Sequence, residues 1–187
     1  MIATAATGAE PIAANRIGMH RHPRDELFAC DLPALPTSKR HAARDSVLAG
    51  LQFNACVANN LMAQIVRWDF ELGQLPAAAA VDTATLRFSG RLVRGPLVVV
   101  AASGATVPLA DALIRAPGLQ RAARTLDLRA MTLRVADKTW QLRIGLVGAA
   151  RVRIRPFGLE RYIPMGRPQA VALVETFEHA REILSRF

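Results

Sequence analysis

Residues 126–155 read LDLRAMTLRVADKTWQLRIGLVGAARVRIR, and the parity of their apolar positions decides the fold. Leu126, Leu128 and Ala130 share one parity; Met131, Leu133 and Val135 share the other. Successive side chains on a strand point to opposite faces, so both sets line one face only if an extra residue intervenes. The switch therefore predicts a β-bulge at Ala130 and Met131. Asp137-Lys138 sits where a two-residue hairpin turn belongs. Beyond it Trp140, Leu142, Ile144 and Leu146 alternate cleanly. After Gly148, Val152 and Ile154 alternate with Arg151, Arg153 and Arg155 until Pro156 ends the strand. Strands joined by turns this short pair antiparallel.

Further strand signals precede this block. Leu86 and Phe88 alternate with Thr85, Arg87 and Ser89, and a turn near Gly90 leads to Leu92–Arg94. Gly95-Pro96 marks a bulge or break. Leu97–Ala102 is a continuous run rich in β-branched residues, the pattern of a strand covered on both faces. Pro108 to Ala116 reads as a short helix with Pro108 in its first turn, ended by Pro117-Gly118, and Gln120 to Arg124 as one more helical turn. Thr85-Leu86-Arg87 recurs as Thr132-Leu133-Arg134, an echo that fits a duplicated ββ unit or two similar amphipathic strands.

Helices flank the strands. Val47, Leu48, Leu51, Ala55, Ala58, Leu61, Met62, Ile65 and Val66 recur at three- and four-residue steps. This predicts a long helix that starts near Thr37 or Ser38, weakens at Gly50 and stops near Gly73, before Pro76. Ala77–Ala80 is a linker. Near the C-terminus, Pro168 opens a helix whose apolar stripe includes Leu173, Val174, Phe177, Ala180 and Leu184, with Glu175, Glu178, Glu182 and Arg186 mostly opposite. Residues 1–38 form an irregular arm, broken by Pro23, Pro33 and Pro36 and expected to be disordered to about residue 12. The expected architecture is one α+β domain over residues 39–187, in two layers. A largely antiparallel five-stranded sheet, in the order α-ββ-α-βββ-α, packs against the long helix of the N-terminal half and the C-terminal helix.

The net charge of +9 resides almost wholly in the sheet-forming middle of the chain. From Ala84 to Phe157 there are thirteen Arg or Lys and three Asp, whereas residues 1–83 carry seven bases and eight acids, and residues 158–187 carry four of each. Charge concentrated on one architectural unit forms a face; scattered charge only solubilises. Twenty-two of the basic residues are Arg, which favours planar contacts to phosphate and carboxylate, although a GC-rich coding bias also raises Arg together with Ala.

The expected parities point Arg129, Arg134, Arg143, Arg151, Arg153 and Arg155 away from the apolar face, with Arg87, Arg91 and Arg94 extending the patch. Such a row reads as a docking face for an anionic partner, a nucleic-acid backbone or an acidic protein, with peripheral membrane contact a further option. It reads equally as a solvated face whose charges are offset by carboxylates; Glu175, Glu178 and Glu182 serve only if the last helix crosses that face. Phe88 and Trp140 fall on the apolar parity, so no aromatic platform for stacking bases accompanies the arginines. A nucleic-acid role would therefore be backbone-directed.

No constellation announces catalysis. Cys30 and Cys56 make no disulfide framework and read as free thiols, Cys56 within an apolar helical stretch. His20, His22, Asp25, Glu26 and Cys30 have ligand chemistry without metal-site spacing, and His41 and His179 are distant in sequence, so no metal or cofactor is expected. GxSxG, Walker and dinucleotide motifs are absent. Asp25-Glu26 and the pair Asp69 and Glu71 are commoner as surface or capping residues than as acid–base groups. There is no signal-peptide pattern at the N-terminus and no apolar run of membrane-spanning length, which sets the expected compartment as the cytoplasm. The expected function is non-catalytic binding of an anionic partner through the arginine face. The alternative is a lipid or small-molecule carrier whose cavity is lined by Met131, Trp140, Leu142, Phe177 and Leu184. A third option is an enzyme whose site is assembled from residues far apart in sequence.

Overall fold

Between residues 52 and 73 the chain alternates rather than spirals: Trp68, Phe70 and Leu72 point one way, Asp69 and Glu71 the other. The structure, a computed structural model describing residues 45–76, 80–89 and 95–187, forms a hairpin here. Strand β1 (Gln52–Asn59) pairs with β2 (Ala63–Gly73). This corrects the long helix expected over the same residues; of it, only 45–50 are helical among the described residues. The three- and four-residue spacing leaned on Ala55 and Ala58, whose small side chains define a face poorly. Isoleucine, valine and aromatic residues prefer the pleated surface. Asn60 then closes the turn: its Oδ1 accepts hydrogen bonds from the N–H groups of Met62 at 3.1 Å and Ala63 at 2.6 Å. Phe53 packs edge-on against Phe70 across the pair, centroids 5.7 Å apart.

The remaining strands are β3 (Asp82–Phe88), β4 (Leu97–Ala102), β5 (Leu128–Ala136), β6 (Thr139–Ile154) and β7 (Leu159–Ile163). All seven join one antiparallel sheet in the order β1-β2-β6-β5-β3-β4, with β7 paired to the far half of β6. Among the described residues the sheet thus has two strands more than expected: β1 and β2 come from the segment read as helix and β7 follows Pro156, while the two strands expected on either side of Gly148 are one, β6. Asp137 and Lys138 make the β5–β6 turn with φ of 47° and 65°, the left-handed pair of a type I′ hairpin. The β5 bulge is present one residue earlier than expected, at Arg129: Leu128 pairs with Leu146 and Ala130 with Gly145. Strand β4 lies at the sheet's edge with only Leu97 buried, so its apolar run is not the mark of two-sided cover.

Helices α1 (Thr106–Arg115), α2 (Pro117–Thr125) and α3 (Arg167–Leu184) lie on one side of the sheet. Pro117 ends α1, as expected, and also starts α2. Asp82 supplies the N-terminal partner that α1 lacks in its own sequence, its Oδ2 accepting the Ala105 N–H at 2.8 Å. A Cβ on Gly118 would lie 2.8 Å from the His179 ring, so a bare glycine lets α2 approach α3. Phe70, Leu86, Met131, Leu133, Leu142 and Ile144 from the sheet meet Leu113, Leu119, Leu173 and Phe177 from the helices in one core. No helix among the described residues is long and apolar enough to cross a membrane.

Candidate functional site

Strands β2, β6 and β5 lie side by side, and their register places chemistry on the face turned away from the helices. Glu71, Arg143 and Thr132 form one cross-strand row; Asp69 and Gly145 stand in the next. Asp69 and Glu71 are each only 4% exposed. Removing two carboxylates from water costs several kcal/mol each unless cations and hydrogen-bond donors replace the lost hydration.

The arginines supply that replacement. Arg129 Nη2 stands 2.6 Å from Asp69 Oδ1. Arg143 Nε donates to Glu71 Oε1 and lies 4.0 Å from Asp69 Oδ2. Gln141 Nε2 donates to Glu71 Oε2 at 3.1 Å, and its Oε1 accepts from Arg134 Nη1 at 3.2 Å. The result is one polar chain running from Arg134 through Gln141, Glu71 and Arg143 to Asp69 and Arg129.

Gly145 makes the chain's last link sterically possible. Arg129 belongs to β5 and Asp69 to β2, so their contact crosses over β6. It crosses above Gly145, where a Cβ would lie 2.6 Å from Arg129 Nη2 and 2.8 Å from Asp69 Oδ1. The bulge at Arg129 gives the side chain the offset to reach across.

Cys56 joins the same cluster from β1, its Sγ 3.3 Å from Asp69 Oδ2. It lies on a strand and is partly exposed, which corrects the helical core thiol expected from sequence. Burial, then the hydrogen bond to Asp69 and that carboxylate's charge, push the thiol pKa up, against the smaller opposing pull of Arg143 and Arg129. The protonated thiol is a donor to Asp69, and a nucleophilic cysteine requires the opposite shift.

The six arginines expected on one face divide into two groups. Arg129, Arg134 and Arg143 share the face just described. Arg151 and Arg153 point to the other, because β6 bulges: from Gly145 to Ala150 it spends five steps where β2 spends two, from Asp69 to Arg67. An odd number against an even one inverts the parity of everything downstream. Ala149 absorbs the distortion at φ 53°. Arg151 pairs bidentately with Glu160 of β7, at 2.5 Å through both Nε and Nη2. Arg155 reaches Asn59 Oδ1 at 3.2 Å. Arg87 is exposed on β3, and Arg91 and Arg94 lie outside the described residues, as do the arm, the start of the expected helix and Leu92–Arg94. Among the described residues, the acids that meet these arginines are Asp69, Glu71 and Glu160; α3 packs against the face opposite Asp69 and Glu71.

Beyond the bulge the sheet's outer end, formed by the β1–β2 turn, the last residues of β6 and β7, differs from the polar chain. It carries five arginines, Arg67, Arg151, Arg153, Arg155 and Arg161, against the single acid Glu160. Among the described residues, Arg67, Arg153, Arg155 and Arg161 have no carboxylate partner. Leu61, Met62, Phe157 and Leu159 are exposed beside them, Leu61 at 91% and Phe157 at 72%. The Arg155 N–H donates to the Met62 carbonyl at 2.9 Å, which ties the two turns together at one tip. Sequence reading missed Arg67 and the Leu61–Met62 part of the tip because it placed residues 61–67 on a helix, and Arg161 because it placed no strand between Pro156 and Pro168. Gly145 and Gly148, inside an otherwise regular strand pattern, were the signals for the crossing and the bulge.

The residues proposed from sequence to line a cavity are core residues. Met131, Leu142, Phe177 and Leu184 are buried in the main cluster, and Trp140 packs against it. Trp140 also borders an open pocket of about 300 Å³ with Leu72, Gly73, Ser46 and Arg181.

Residues 29–184 match the family described as "Protein of unknown function (DUF3156)", and the chain belongs to that family. No curated protein and no solved structure matches the chain significantly.

Proposed function

We propose that this member of the DUF3156 family is a non-catalytic binding protein that docks an anionic partner, and that the docking surface is the outer end of the sheet. The observation that carries this reading is the division of the arginines. Arg129 and Arg143 are held by Asp69 and Glu71, and Arg134 is tied to them through Gln141. Their charge is largely spent inside the molecule, and they serve to stabilise two buried carboxylates. Arg67, Arg153, Arg155 and Arg161 lack such partners among the described residues, so their field extends into solvent. Arginine without an internal carboxylate retains its planar donors for phosphate or carboxylate groups of a partner.

The carrier alternative draws less support, because the side chains assigned to its cavity are packed against one another. A cysteine enzyme draws less still, because Asp69 and burial hold the Cys56 proton in place.

Retention on heparin–agarose, a general polyanion, across a sodium chloride gradient tests the reading. The triple substitution Arg153→Gln, Arg155→Gln and Arg161→Gln should elute at markedly lower salt than the unmodified protein. Arg115→Gln with Arg121→Gln, which removes two exposed arginines from the helical side, should change elution little. Equal losses from both sets would mean that net charge alone drives retention, and the assignment to the sheet end would fail.

A further inference from the structure

We infer that the anionic partner is the surface of a lipid bilayer, met tip first by the outer end of the sheet; this rests on the docking reading above and narrows it. The argument lies in what accompanies the arginines. A single-stranded nucleic acid asks for cations and for flat rings on which bases stack, and a duplex backbone for cations alone. The tip offers one exposed ring, Phe157, and otherwise aliphatic side chains: Leu61, Met62 and Leu159. Aliphatic groups gain nothing from a phosphate backbone, but gain transfer free energy at the boundary between headgroups and acyl chains. Next to them Arg153, Arg155 and Arg161 extend on long stems able to remain at headgroup level while the tip enters.

The sheet face that leads to the tip has the same composition. Register places Ile65, Val152, Ile154, Leu159 and Ile163 on one side of the outer end. Ile154 and Ile163 are each 37% exposed. Arg67 and Arg161 border them on the same side. Exposed apolar groups gathered at one end of a sheet mark an interaction surface rather than ordinary surface scatter. A second copy of this chain is the less suitable occupant. A two-fold contact would bring the same five arginines and one glutamate from each partner together, a like-charged encounter. A bilayer containing anionic lipid complements both the charge and the apolar tip.

Co-sedimentation with phosphatidylcholine vesicles, with and without phosphatidylserine, tests this on the full chain. Binding is expected with phosphatidylserine and little without it. Leu61→Ser with Phe157→Ser should lower the partition coefficient by roughly tenfold or more and leave heparin retention unchanged. The arginine triple substitution should weaken both. Both apolar positions are exposed, and an unchanged circular dichroism spectrum would establish that the variant folds. Vesicle binding indifferent to Leu61 and Phe157 would overturn the inference. Retention on heparin without any vesicle binding would overturn it and leave anion docking standing. Loss of both would remove the docking reading itself. A concentration-dependent dimer that the apolar substitutions dissolve would assign the tip to self-association and overturn the lipid assignment.

Discussion

Replacing Gly145 by alanine asks whether the ion pair that crosses β6 depends on the absence of a side chain beneath it. The added Cβ would lie 2.6 Å from Arg129 Nη2, 3.1 Å from its Cζ and 2.8 Å from Asp69 Oδ1. Real Cβ atoms do not approach heavy atoms so closely, so a side chain must move. Arg129, whose side chain is 35% exposed, is freer to leave than Asp69, at 5%. Asp69 then loses its shortest charged hydrogen bond, a contribution of about 1.5–3 kcal/mol for charged partners generally. The lower part of that range applies, because Arg129 is partly solvated and Arg143 Nε remains 4.0 Å from Asp69 Oδ2. Alanine recovers roughly 0.5–1 kcal/mol of backbone entropy over glycine, which leaves a net loss of about 1 kcal/mol. Equilibrium urea unfolding measures this loss, and the corresponding fall in Tm is about 2–4 °C. The decisive readout is a double-mutant cycle with Arg129→Ala. Once Arg129 is gone and Asp69 is free to turn, Gly145→Ala should cost nothing or stabilise, giving a coupling of about 1 kcal/mol or more. A coupling near zero, or a Gly145→Ala protein more stable than its parent, would refute the crossing as drawn.

Other consequences are equally accessible. Phe177→Ala empties a fully buried position where α3 meets the sheet and should cost about 3–5 kcal/mol in urea unfolding; a loss under 1 kcal/mol would mean the site collapses around the gap. Lys138 occupies a left-handed position at φ 65°, so Lys138→Gly should raise stability by roughly 0.5–1 kcal/mol, and a lowered Tm would speak against the type I′ turn. The Cys56 thiol is raised above its ordinary 9.0 in the folded chain. Its contribution is therefore constant at neutral pH and lost as pH rises past 9.0, where the unfolded chain sheds a proton that the folded chain keeps. Cys56→Ala should not show that alkaline loss. In a Cys30→Ser background, Asp69→Asn should speed iodoacetamide alkylation of Cys56 near pH 8, because the charge that disfavours the thiolate is gone while Arg143 and Arg129 remain; an unchanged or slower rate would argue against the assigned cause.

The segments legible in the sequence are those in which local pattern and tertiary environment agree. Residues 126–146 have clean alternation, and Asp137-Lys138 is a short turn with few alternatives, so the β5–β6 hairpin and a bulge near its start follow from parity alone. The α3 stripe is equally unambiguous, as is the Glu182–Arg186 pair, at 2.7 Å. Residues 47–66 fail for a physical reason: five alanine or glycine positions among branched apolar ones support a period near four as readily as a period of two. Asn60 and the Asp69–Glu71 alternation carried the answer, but their weight becomes visible only when β6 lies alongside to pair with them.

By itself the chain determined that it would build an antiparallel sheet with helices against it, and that its charge would gather on that sheet. Periodicity and composition are local properties, and these conclusions need nothing else. The tertiary structure alone decided which of the described arginines are held by carboxylates and which are not. That outcome hangs on an odd count of residues in the β6 bulge, which turns Arg151 and Arg153 to the face opposite Arg143. It also hangs on Asp69 and Glu71 arriving from a strand some sixty to seventy residues away in sequence, at separations of 60 and 72 from their arginine partners. Parity is additive along a strand, so one inserted residue reverses every later assignment, and no local reading fixes the count until the partner strand is in place.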